Sequence, residues 1–246
     1  MGLKATLDIF LPRICVVCGR KLLLNEAHIC LHCLADMPMT HFWARSRNPM
    51  ADRFNELSSK DESLTDERYS YACSLFFFED DSSYRRILYD IKYNGNLSAG
   101  RYFGSMLGGR MASSEIFSNV DIVVPVPLHW RRKWKRGYNQ AEVIAGSIAA
   151  QLGVPLRADL LRRIRHTGTQ TKLKVEEKTS NVLGAFEVSS KCLSSMGHRP
   201  KHILLVDDVF TTGSTLFACF TALQSVFPPS VRISIATLGF VGEVYS

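Results

Sequence analysis

The stretch "HILLVDDVFTTGST", residues 202–215, decides the class of fold. Its first five residues suit a buried strand, and they run directly into Asp207 and Asp208. A turn of threonine, glycine and serine follows, and then an apolar pattern of helical type begins. Two interpretations are open at this point: the carboxylates and the turn bind a ligand, or the turn only caps a helix that follows a buried strand.

The rest of the chain repeats this arrangement of strand and helix. Strands are predicted at 69–79, 121–127, 159–165, 181–188, 202–208 and 231–240, and helices at 82–94, 96–114, 141–153 and 215–227. Strands that alternate with helices over about 120 residues predict an α/β fold, a parallel sheet flanked by helices with right-handed crossovers. Ligands bind at the carboxyl ends of the strands in such sheets, and the 207–215 and 125–140 segments both lie there.

The turn after the acidic pair has the chemistry of a phosphate site. A helix N-terminus offers unpaired backbone N–H groups and the positive end of the helix dipole, and Gly213 lets the backbone approach closely. Asp207 and Asp208 are suited to hold sugar hydroxyls or a hydrated Mg²⁺. The segment therefore predicts a ribose 5-phosphate site, with the candidate residues Asp207, Asp208, Thr211, Thr212, Gly213, Ser214 and Thr215.

This segment resembles the loop that binds 5-phosphoribosyl-1-pyrophosphate (PRPP) in type I phosphoribosyltransferases. The resemblance implies the type I phosphoribosyltransferase fold, with PRPP and Mg²⁺ as ligands. Some purine enzymes of that class have a third acidic residue where this chain has Thr211, which argues against a hypoxanthine/guanine-type activity. Orotate-, adenine- or amido-type acceptors, or no acceptor at all, stay open. A competing interpretation, the Walker B strand of a motor, needs a P-loop, and the nearest match at 95–102 lacks its Lys and its Ser/Thr.

A basic segment, "PVPLHWRRKWKRGYNQAE" at 125–142, follows another predicted strand. It occupies the position of the pyrophosphate loop of a phosphoribosyltransferase, where cations and backbone amides neutralise the leaving group. A cationic tract with two interleaved tryptophans is also typical of single-stranded nucleic-acid binding, and a solvated basic turn with structural tryptophans is a third interpretation. The candidate residues are His129, Trp130, Arg131, Arg132, Lys133, Trp134, Lys135, Arg136 and Gly137.

The basic segment also resembles a narrower group, the ComF family. Two further stretches support the resemblance: "LYDIKYNGN" at 88–96, and 163–188, which follows the pattern R-x₃-T-x₂-Q-x₂-L…E-K…N-V-x-G-A-F. The family is linked to natural competence, the uptake and use of external DNA, and to nucleotide metabolism. The resemblance implies a cytoplasmic protein with PRPP, single-stranded DNA and the competence DNA-import machinery as candidate partners. The resemblance also implies one of two activities: the protein is a phosphoribosyltransferase, or it is a non-catalytic DNA-binding protein that uses the fold as a PRPP-responsive platform.

The polar stretch 166–180 corresponds by position to the flexible hood of the fold. A hood of this kind closes over PRPP and excludes water. Gln170 and Lys172 are the candidate contacts to the ligand. A surface loop that never touches the ligand is the alternative.

The first 39 residues contain two cysteine pairs, Cys15-x₂-Cys18 and Cys30-x₂-Cys33, separated by eleven residues. Thiolates at this spacing can converge tetrahedrally on Zn²⁺, and a closed four-cysteine site is structural. Its binding free energy would help to hold a module that is too small for a core of its own. The alternatives are a redox pair or cysteines grouped by coincidence. The ComF resemblance identifies the segment as a zinc-ribbon-like module.

Length, charge and cysteine usage set the remaining limits. The 246 residues divide into the module at 1–39, a linker or extended connection at 40–68 and a phosphoribosyltransferase-type domain at 69–246. The net charge of +7 favours a polyanionic partner, either nucleic acid or phosphates. Seven cysteines, with two close pairs, favour a reducing cytosol over a secreted disulfide framework. No apolar run reaches the roughly 18 residues of a membrane helix, so no transmembrane segment is predicted.

Overall fold

The computed structural model describes residues 12–58, 69–79, 81–130, 134, 136–164 and 184–242. Its centre is a parallel sheet of five strands: β1 (Ala72–Phe77), β2 (Ile122–Pro125), β5 (His202–Val206), β6 (Val209–Phe210) and β7 (Arg232–Phe240). The strand order is β1-β7-β5-β2, and the short strand β6 pairs with the end of β7. Strands β1, β2 and β5 are buried along their whole length, because helices and loops cover both faces of the sheet. The predicted α/β fold is confirmed.

Seven α-helices and one 3₁₀ helix (Phe42–Ala44) accompany the sheet in the described part of the chain. The α-helices are α1 (Leu31–Ala35), α2 (Pro49–Ser58), α3 (Arg85–Tyr93), α4 (Leu97–Ala112), α5 (Gln140–Leu152), α6 (Ser190–Ser194) and α7 (Ser214–Gln224). Helices α4 and α5 pack at close range because glycines face the contact. A Cβ atom on Gly104 would lie 2.9 Å from the Ile144 carbonyl oxygen, and one on Gly108 would lie 2.9 Å from Ile148 Cα.

The remaining two strands, β3 (Leu161–Arg163) and β4 (Phe186–Val188), form a separate antiparallel pair. The predicted strand at 181–188 is confirmed for Phe186–Val188, but it pairs with β3 and does not join the parallel sheet; residues 181–183 lie outside the described residues. Each strand has only three residues and buries only its first one, which is too little apolar surface for the middle of a sheet. The hood candidates Gln170 and Lys172 fall between these strands in the sequence and lie outside the described residues.

The predicted linker at 40–68 is wrong for residues 40–58. This part contains α2, and Phe42, Trp43, Met50 and Phe54 are all buried. Asn48 fixes the start of the helix: its side chain accepts a hydrogen bond from Ala51 N at 3.0 Å and donates one to the Ala72 carbonyl of β1 at 2.9 Å. The segment is polar in sequence because only one face of α2 packs against the core. Residues 59–68 lie outside the described residues.

The cysteine-bearing module packs against the start of α3. The Tyr84 hydroxyl donates to the Cys33 carbonyl at 2.8 Å, and the Arg86 guanidinium donates to the Val17 carbonyl at 3.0 Å. The chain then continues along the sheet edge, where Met39 forms an antiparallel bridge with Phe76 of β1. The module is thus attached to the main sheet both by chain continuity and by α3. Within the described residues, no helix is both long and apolar enough to span a bilayer.

Candidate functional site

The two segments predicted to bind PRPP start side by side at one edge of the sheet. Pro125, the last residue of β2, pairs with Val206, the last residue of β5. Val126 continues this ladder with an N–H that donates to the Val206 carbonyl at 2.8 Å. The basic segment and the Asp207–Thr215 turn therefore leave neighbouring strands at their carboxyl ends, as the alternating pattern predicts.

The acidic pair lies in an environment that disfavours its charge. Burial raises the pKa of Asp207 to about 7, and the negative charge of Asp208 adds to this rise. The N–H of Asp208 donates to Asp207 Oδ1 at 2.9 Å, and the positive charges of Lys92 and Arg163 offset part of the rise. Asp208 itself is buried, and Lys92 Nζ lies 3.0 Å from its Oδ2 atom. Two neighbouring carboxylates thus share one close ammonium group.

Lys92 is a site residue to which the sequence analysis assigned no role. It lies in the last turn of α3, one residue after the buried Ile91, and it crosses to the acidic pair at the end of β5. The stretch 88–96 that contains it supports the family resemblance. One feature of the sequence could have identified Lys92: it borders the apolar stripe of α3. A lysine at such a border can bury its aliphatic stem and direct its ammonium group to a partner.

The turn after the acidic pair has the shape that its sequence predicts. Gly213 has φ of +77°, and a Cβ atom there would lie 2.7 Å from the Phe210 ring, so both the backbone and the space require glycine. Thr212 Oγ1 lies 2.9 Å from Ser214 Oγ. Among the described residues, no partner accepts a hydrogen bond from the backbone N–H of Thr212 or Gly213. Together with the N-terminus of α7, these donors are available to bind an anion.

Arg53 of α2 supports this turn from outside. Its guanidinium donates to the Thr211 carbonyl at 3.0 Å and to the Val241 carbonyl at 2.7 Å. It also lies 5.7 Å from the ring centre of Phe210. No pattern in the sequence marks Arg53 as a site residue, because it lies within the predicted linker. The region predicted to lack a core therefore helps to shape the candidate site.

The basic segment divides into buried and exposed parts. His129 is buried, whereas Trp130 is 64% and Trp134 is 87% exposed, so the two tryptophans have no structural role in the core. Arg136 donates to Gln140 Oε1 at 2.7 Å, and its guanidinium lies 5.4 Å from the ring centre of Tyr93 on α3. Gly137 has φ of +82°. Four further candidates lie outside the described residues: Arg131, Arg132, Lys133 and Lys135.

Two residues after Gly137 fasten the basic segment to its neighbours. The Tyr138 hydroxyl donates to the Ile91 carbonyl of α3 at 2.6 Å. The Asn139 side chain accepts from Ala141 N at 3.2 Å, which caps α5, and it donates to the Val126 carbonyl at 3.0 Å. The end of α3, the basic segment and the acidic pair therefore meet at one place.

The four paired cysteines form a second candidate site, in the N-terminal module. The sulfur atoms of Cys15, Cys18, Cys30 and Cys33 all lie within 4.8 Å of one another, and those of Cys18 and Cys30 are 3.8 Å apart. A tetrahedral Zn²⁺ with Zn–S bonds of about 2.3 Å requires S···S distances of about 3.8 Å, so the cluster fits this metal. Burial raises the pKa of the Cys15 thiol, but backbone N–H groups, chiefly that of Cys18, lower it by more, to about 7. Such a shift favours the thiolate form that a metal requires.

Glu26 holds the two cysteine pairs in register, and the sequence analysis did not single it out. Its carboxylate accepts from Leu23 N at 2.7 Å, from Leu31 N at 2.8 Å and from Arg20 at 2.8 Å. The N–H groups of Leu23 and Leu31 hold the pKa of Glu26 below its ordinary value. One buried carboxylate thus ties the loop between the pairs to the start of α1.

Comparison with known proteins agrees with this geometry. Residues 139–239 match the phosphoribosyl transferase domain, a range that contains the acidic pair and the whole turn. The chain is 36% identical over 96 residues to Competence protein F of Haemophilus influenzae, a match that covers 39% of this chain and 41% of that protein. It is 35% identical over 96 residues to DNA utilization protein YhgH of Escherichia coli K12, covering 39% and 40%. It is 30% identical over 95 residues to Competence protein ComFC of Bacillus subtilis, covering 39% and 35%.

The sheet, the acidic turn and the domain match together define a protein of the type I phosphoribosyltransferase-like class. The matches span only about two fifths of the length of these curated relatives. Within the class, the chain is similar to the ComF-type competence and DNA-utilization proteins that these matches represent.

Proposed function

We propose that this protein binds PRPP together with Mg²⁺ at residues 207–215 and transfers the phosphoribosyl group to an acceptor. The observation that carries the proposal is the acidic pair at the end of β5, a partly buried Asp207 beside a buried Asp208, followed at once by a turn whose Thr212 and Gly213 N–H groups donate to no described residue. An enclosed carboxylate with a raised pKa is stabilised by a ligand that brings hydroxyl donors and a cation.

Each part of the site has a role in this proposal. The carboxylates of Asp207 and Asp208 accept hydrogen bonds from the ribose hydroxyls, and the turn with the N-terminus of α7 holds the 5-phosphate. Lys92 holds the Asp208 carboxylate in place through its ammonium group. Mg²⁺ that arrives with PRPP would neutralise the charge of its pyrophosphate group.

Transfer then breaks the bond between C1 and the pyrophosphate oxygen, and a bond from C1 to the acceptor forms. The pyrophosphate leaves with the electron pair toward the basic segment, where cations and backbone amides stabilise its charge. The protein contributes positioning and charge neutralisation rather than a covalent intermediate. The acceptor loses its proton as it attacks.

Calorimetric titration with PRPP and Mg²⁺ tests the proposal. Asp207→Asn/Asp208→Asn should weaken PRPP binding by about 100-fold or more, because two charge-assisted contacts are lost. Gly213→Ala should weaken it by about 10-fold, since the new methyl group collides with Phe210 and shifts the turn. Gly153→Ala is the matched control: φ is +69° there, but no atom lies within 4 Å of the new Cβ, so PRPP affinity should not change.

A wild-type protein that shows no heat of PRPP binding, or a Gly213→Ala variant that binds as well as Gly153→Ala, would contradict this assignment. Product analysis with PRPP and a panel of nitrogenous bases then separates binding from catalysis. Tight PRPP binding without any product would mean that the protein binds PRPP but does not catalyse phosphoribosyl transfer.

A second candidate function, binding of single-stranded DNA, is favoured by the exposed Trp130 and Trp134 in the basic segment. The names of the relatives refer to competence and to DNA utilization, so we propose a role in DNA uptake or use, in contact with the DNA-import machinery. We place this activity in the cytoplasm, where cysteines stay reduced. If Lys133→Gln/Lys135→Gln/Arg136→Gln left the salt dependence of DNA affinity unchanged, the basic segment would not be the contact.

We also propose that Cys15, Cys18, Cys30 and Cys33 hold a structural Zn²⁺. Metal analysis of the purified protein should give one zinc per chain, and Cys30→Ser should lower this ratio. Chelation should loosen the module, and exchange protection of its amide groups should fall. Cys219→Ser, at a buried cysteine far along the chain in α7, is the control and should leave the zinc content unchanged.

A further inference from the structure

Two tyrosines on α3 form an exposed aromatic surface next to the proposed PRPP site. Tyr89 is 58% and Tyr93 is 64% exposed, and their ring centres lie 4.9 Å apart. The opposite face of the helix carries the buried residues Ile87, Leu88 and Ile91. Neighbouring large apolar rings that remain in water on a well-packed helix are typical of a binding surface.

The tyrosines border a groove of about 610 Å³ that also has cationic walls. Its lining consists of Phe78, Arg85, Arg86, Leu88, Tyr89, Lys92 and Tyr93. The one acidic residue within α3, Asp90, accepts hydrogen bonds from Asn94 and Asn96 at 2.7 Å each and belongs to the turn after the helix. No residue of the lining is acidic. Because Lys92 is paired with Asp208, the positive charge of the lining comes from Arg85 and Arg86, and it matches an anionic partner.

The groove is continuous with the site described above. Lys92 lines the groove and also contacts Asp208 Oδ2 at 3.0 Å. The guanidinium of Arg136, from the basic segment, lies 5.4 Å from the ring centre of Tyr93. Aromatic rings and cations thus alternate from α3 to the basic segment.

We infer that the Tyr89–Tyr93 face of α3 binds unpaired bases of a single-stranded nucleic acid. The rings offer stacking surfaces, which tolerate any base, and Arg85 and Arg136 lie where phosphates of the same strand would pass. A duplex does not fit this chemistry, because its bases are already stacked on one another. The inference deepens the DNA-binding candidate under the proposed function, and it rests on that candidate rather than on phosphoribosyl transfer.

Fluorescence anisotropy with a labelled oligodeoxythymidylate tests the inference. Tyr89→Ala/Tyr93→Ala should raise the Kd by on the order of 10-fold or more, since each lost stacking contact weakens binding severalfold. Tyr89→Phe/Tyr93→Phe keeps the rings and should bind within about twofold of wild type. The salt slope should stay the same in both variants because no charge is removed, whereas Arg85→Gln should reduce it by about one.

Several results would overturn the inference. These are wild-type protein that binds no oligonucleotide, equal affinity of the alanine and phenylalanine variants, and duplex DNA bound as tightly as the single strand. Thymidine monophosphate that competes as well as the oligonucleotide would assign the groove to a free nucleotide instead. PRPP calorimetry on wild type and on the same tyrosine variants separates the two proposals. Tyrosine variants that bind PRPP normally but bind DNA weakly support both proposals. A wild-type protein that binds DNA but no PRPP contradicts only the PRPP assignment.

Discussion

Strand β5 has a titratable group at each end, the buried His202 and the partly buried Asp207, and the protein supplies hydrogen-bond partners to these two groups very differently. His202, at its start, is 2% exposed, and both ring nitrogens have partners: Nδ1 lies 2.7 Å from Asn119 Oδ1, and Nε2 lies 2.8 Å from Ser234 Oγ. Burial lowers the pKa of His202 to about 4, so the ring is neutral at pH 7 and its hydrogen bonds are complete. This end of the strand is built for stability.

Asp207, just beyond the other end, is left incompletely satisfied. Within the described part of the chain, its carboxylate accepts one hydrogen bond, from the N–H of Asp208. The pKa of Asp207 is raised by burial and by the negative charge of Asp208. Lys92 contacts Asp208 directly and also lowers the pKa of Asp207, so both carboxylates depend on this one ammonium group. The comparison shows that burial alone does not distinguish a core group from a functional one. The difference lies in whether the protein itself supplies the partners.

Replacing His202 should have the largest effect on stability. His202→Ala leaves Asn119 and Ser234 without their ring partner and opens a cavity, so the free energy of unfolding should fall by about 3 kcal/mol. PRPP affinity of the folded protein should stay within twofold of wild type, because the ring lies at the end of β5 remote from the site. Urea unfolding and calorimetry measure the two quantities.

The control for this change is His198→Ala, at an exposed position, which should alter neither quantity. A His202→Ala variant with normal stability would show that the two hydrogen bonds are not what stabilises this end. A variant with normal stability but weak PRPP binding would reverse the comparison altogether.

Removing the cation at the other end should have the next largest effect. Lys92→Met leaves the Asp208 carboxylate buried beside Asp207 with less positive charge, so stability at pH 8 should fall by about 2 kcal/mol. The pKa of Asp207 should rise further, since Lys92 is one of the charges that lower it. Urea unfolding at several pH values measures both effects.

Lys191→Met, on the exposed face of α6, provides the comparison and should change stability by less than about 0.5 kcal/mol. If the two lysine variants behaved alike, the Lys92–Asp208 contact would be a weak surface pair, and the acidic end of β5 would need no counter-charge.

The two ends also differ in how far the sequence predicts them. The acidic turn and the cysteine pairs are predictable because their chemistry is contiguous: Asp207 to Thr215 is one strand-to-helix connection, and each cysteine pair is a four-residue motif. Short-range spacing fixes which of these side chains can converge. The strand and helix pattern around them similarly fixes the parallel sheet.

The supporting residues are not predictable in this way, because their partners are distant in sequence. Lys92 meets Asp208 across the site, and Arg53 donates to the Thr211 carbonyl from a helix within a polar segment. Glu26 acts on backbone N–H groups, which leave no trace in the pattern of side chains. Sequence reasoning therefore identifies the groups that would touch the ligand and misses those that hold them in place.

Asp207→Asn should have the smallest effect on stability, and of the opposite sign. Because the folded-state pKa of Asp207 is raised, folding takes up a proton between about pH 4 and pH 7. The contribution of Asp207 to the free energy of unfolding of the wild type is therefore highest below about pH 4, where Asp207 is protonated in both states. It falls as the pH rises through about 7, because the folded protein must then hold the ionised carboxylate. The amide cannot ionise, so the variant should equal wild type near pH 4 and exceed it at pH 8. The pKa shift allows at most about 4 kcal/mol. Solvent screening of the partly exposed side chain and the weaker hydrogen bond to an amide offset most of this, so we expect a gain of about 1 kcal/mol.

Urea unfolding from pH 4 to pH 8 measures this difference, and Asp81→Asn, at an exposed position, should show none. The same Asp207→Asn change should weaken PRPP binding, so stability and ligand affinity move in opposite directions at this residue and only stability moves at His202. An incompletely paired carboxylate lowers the stability of the protein, but it remains available to form hydrogen bonds with the ligand. A variant that is less stable than wild type at pH 8 would mean that the carboxylate is a structural group, and the contrast between the two ends of β5 would disappear.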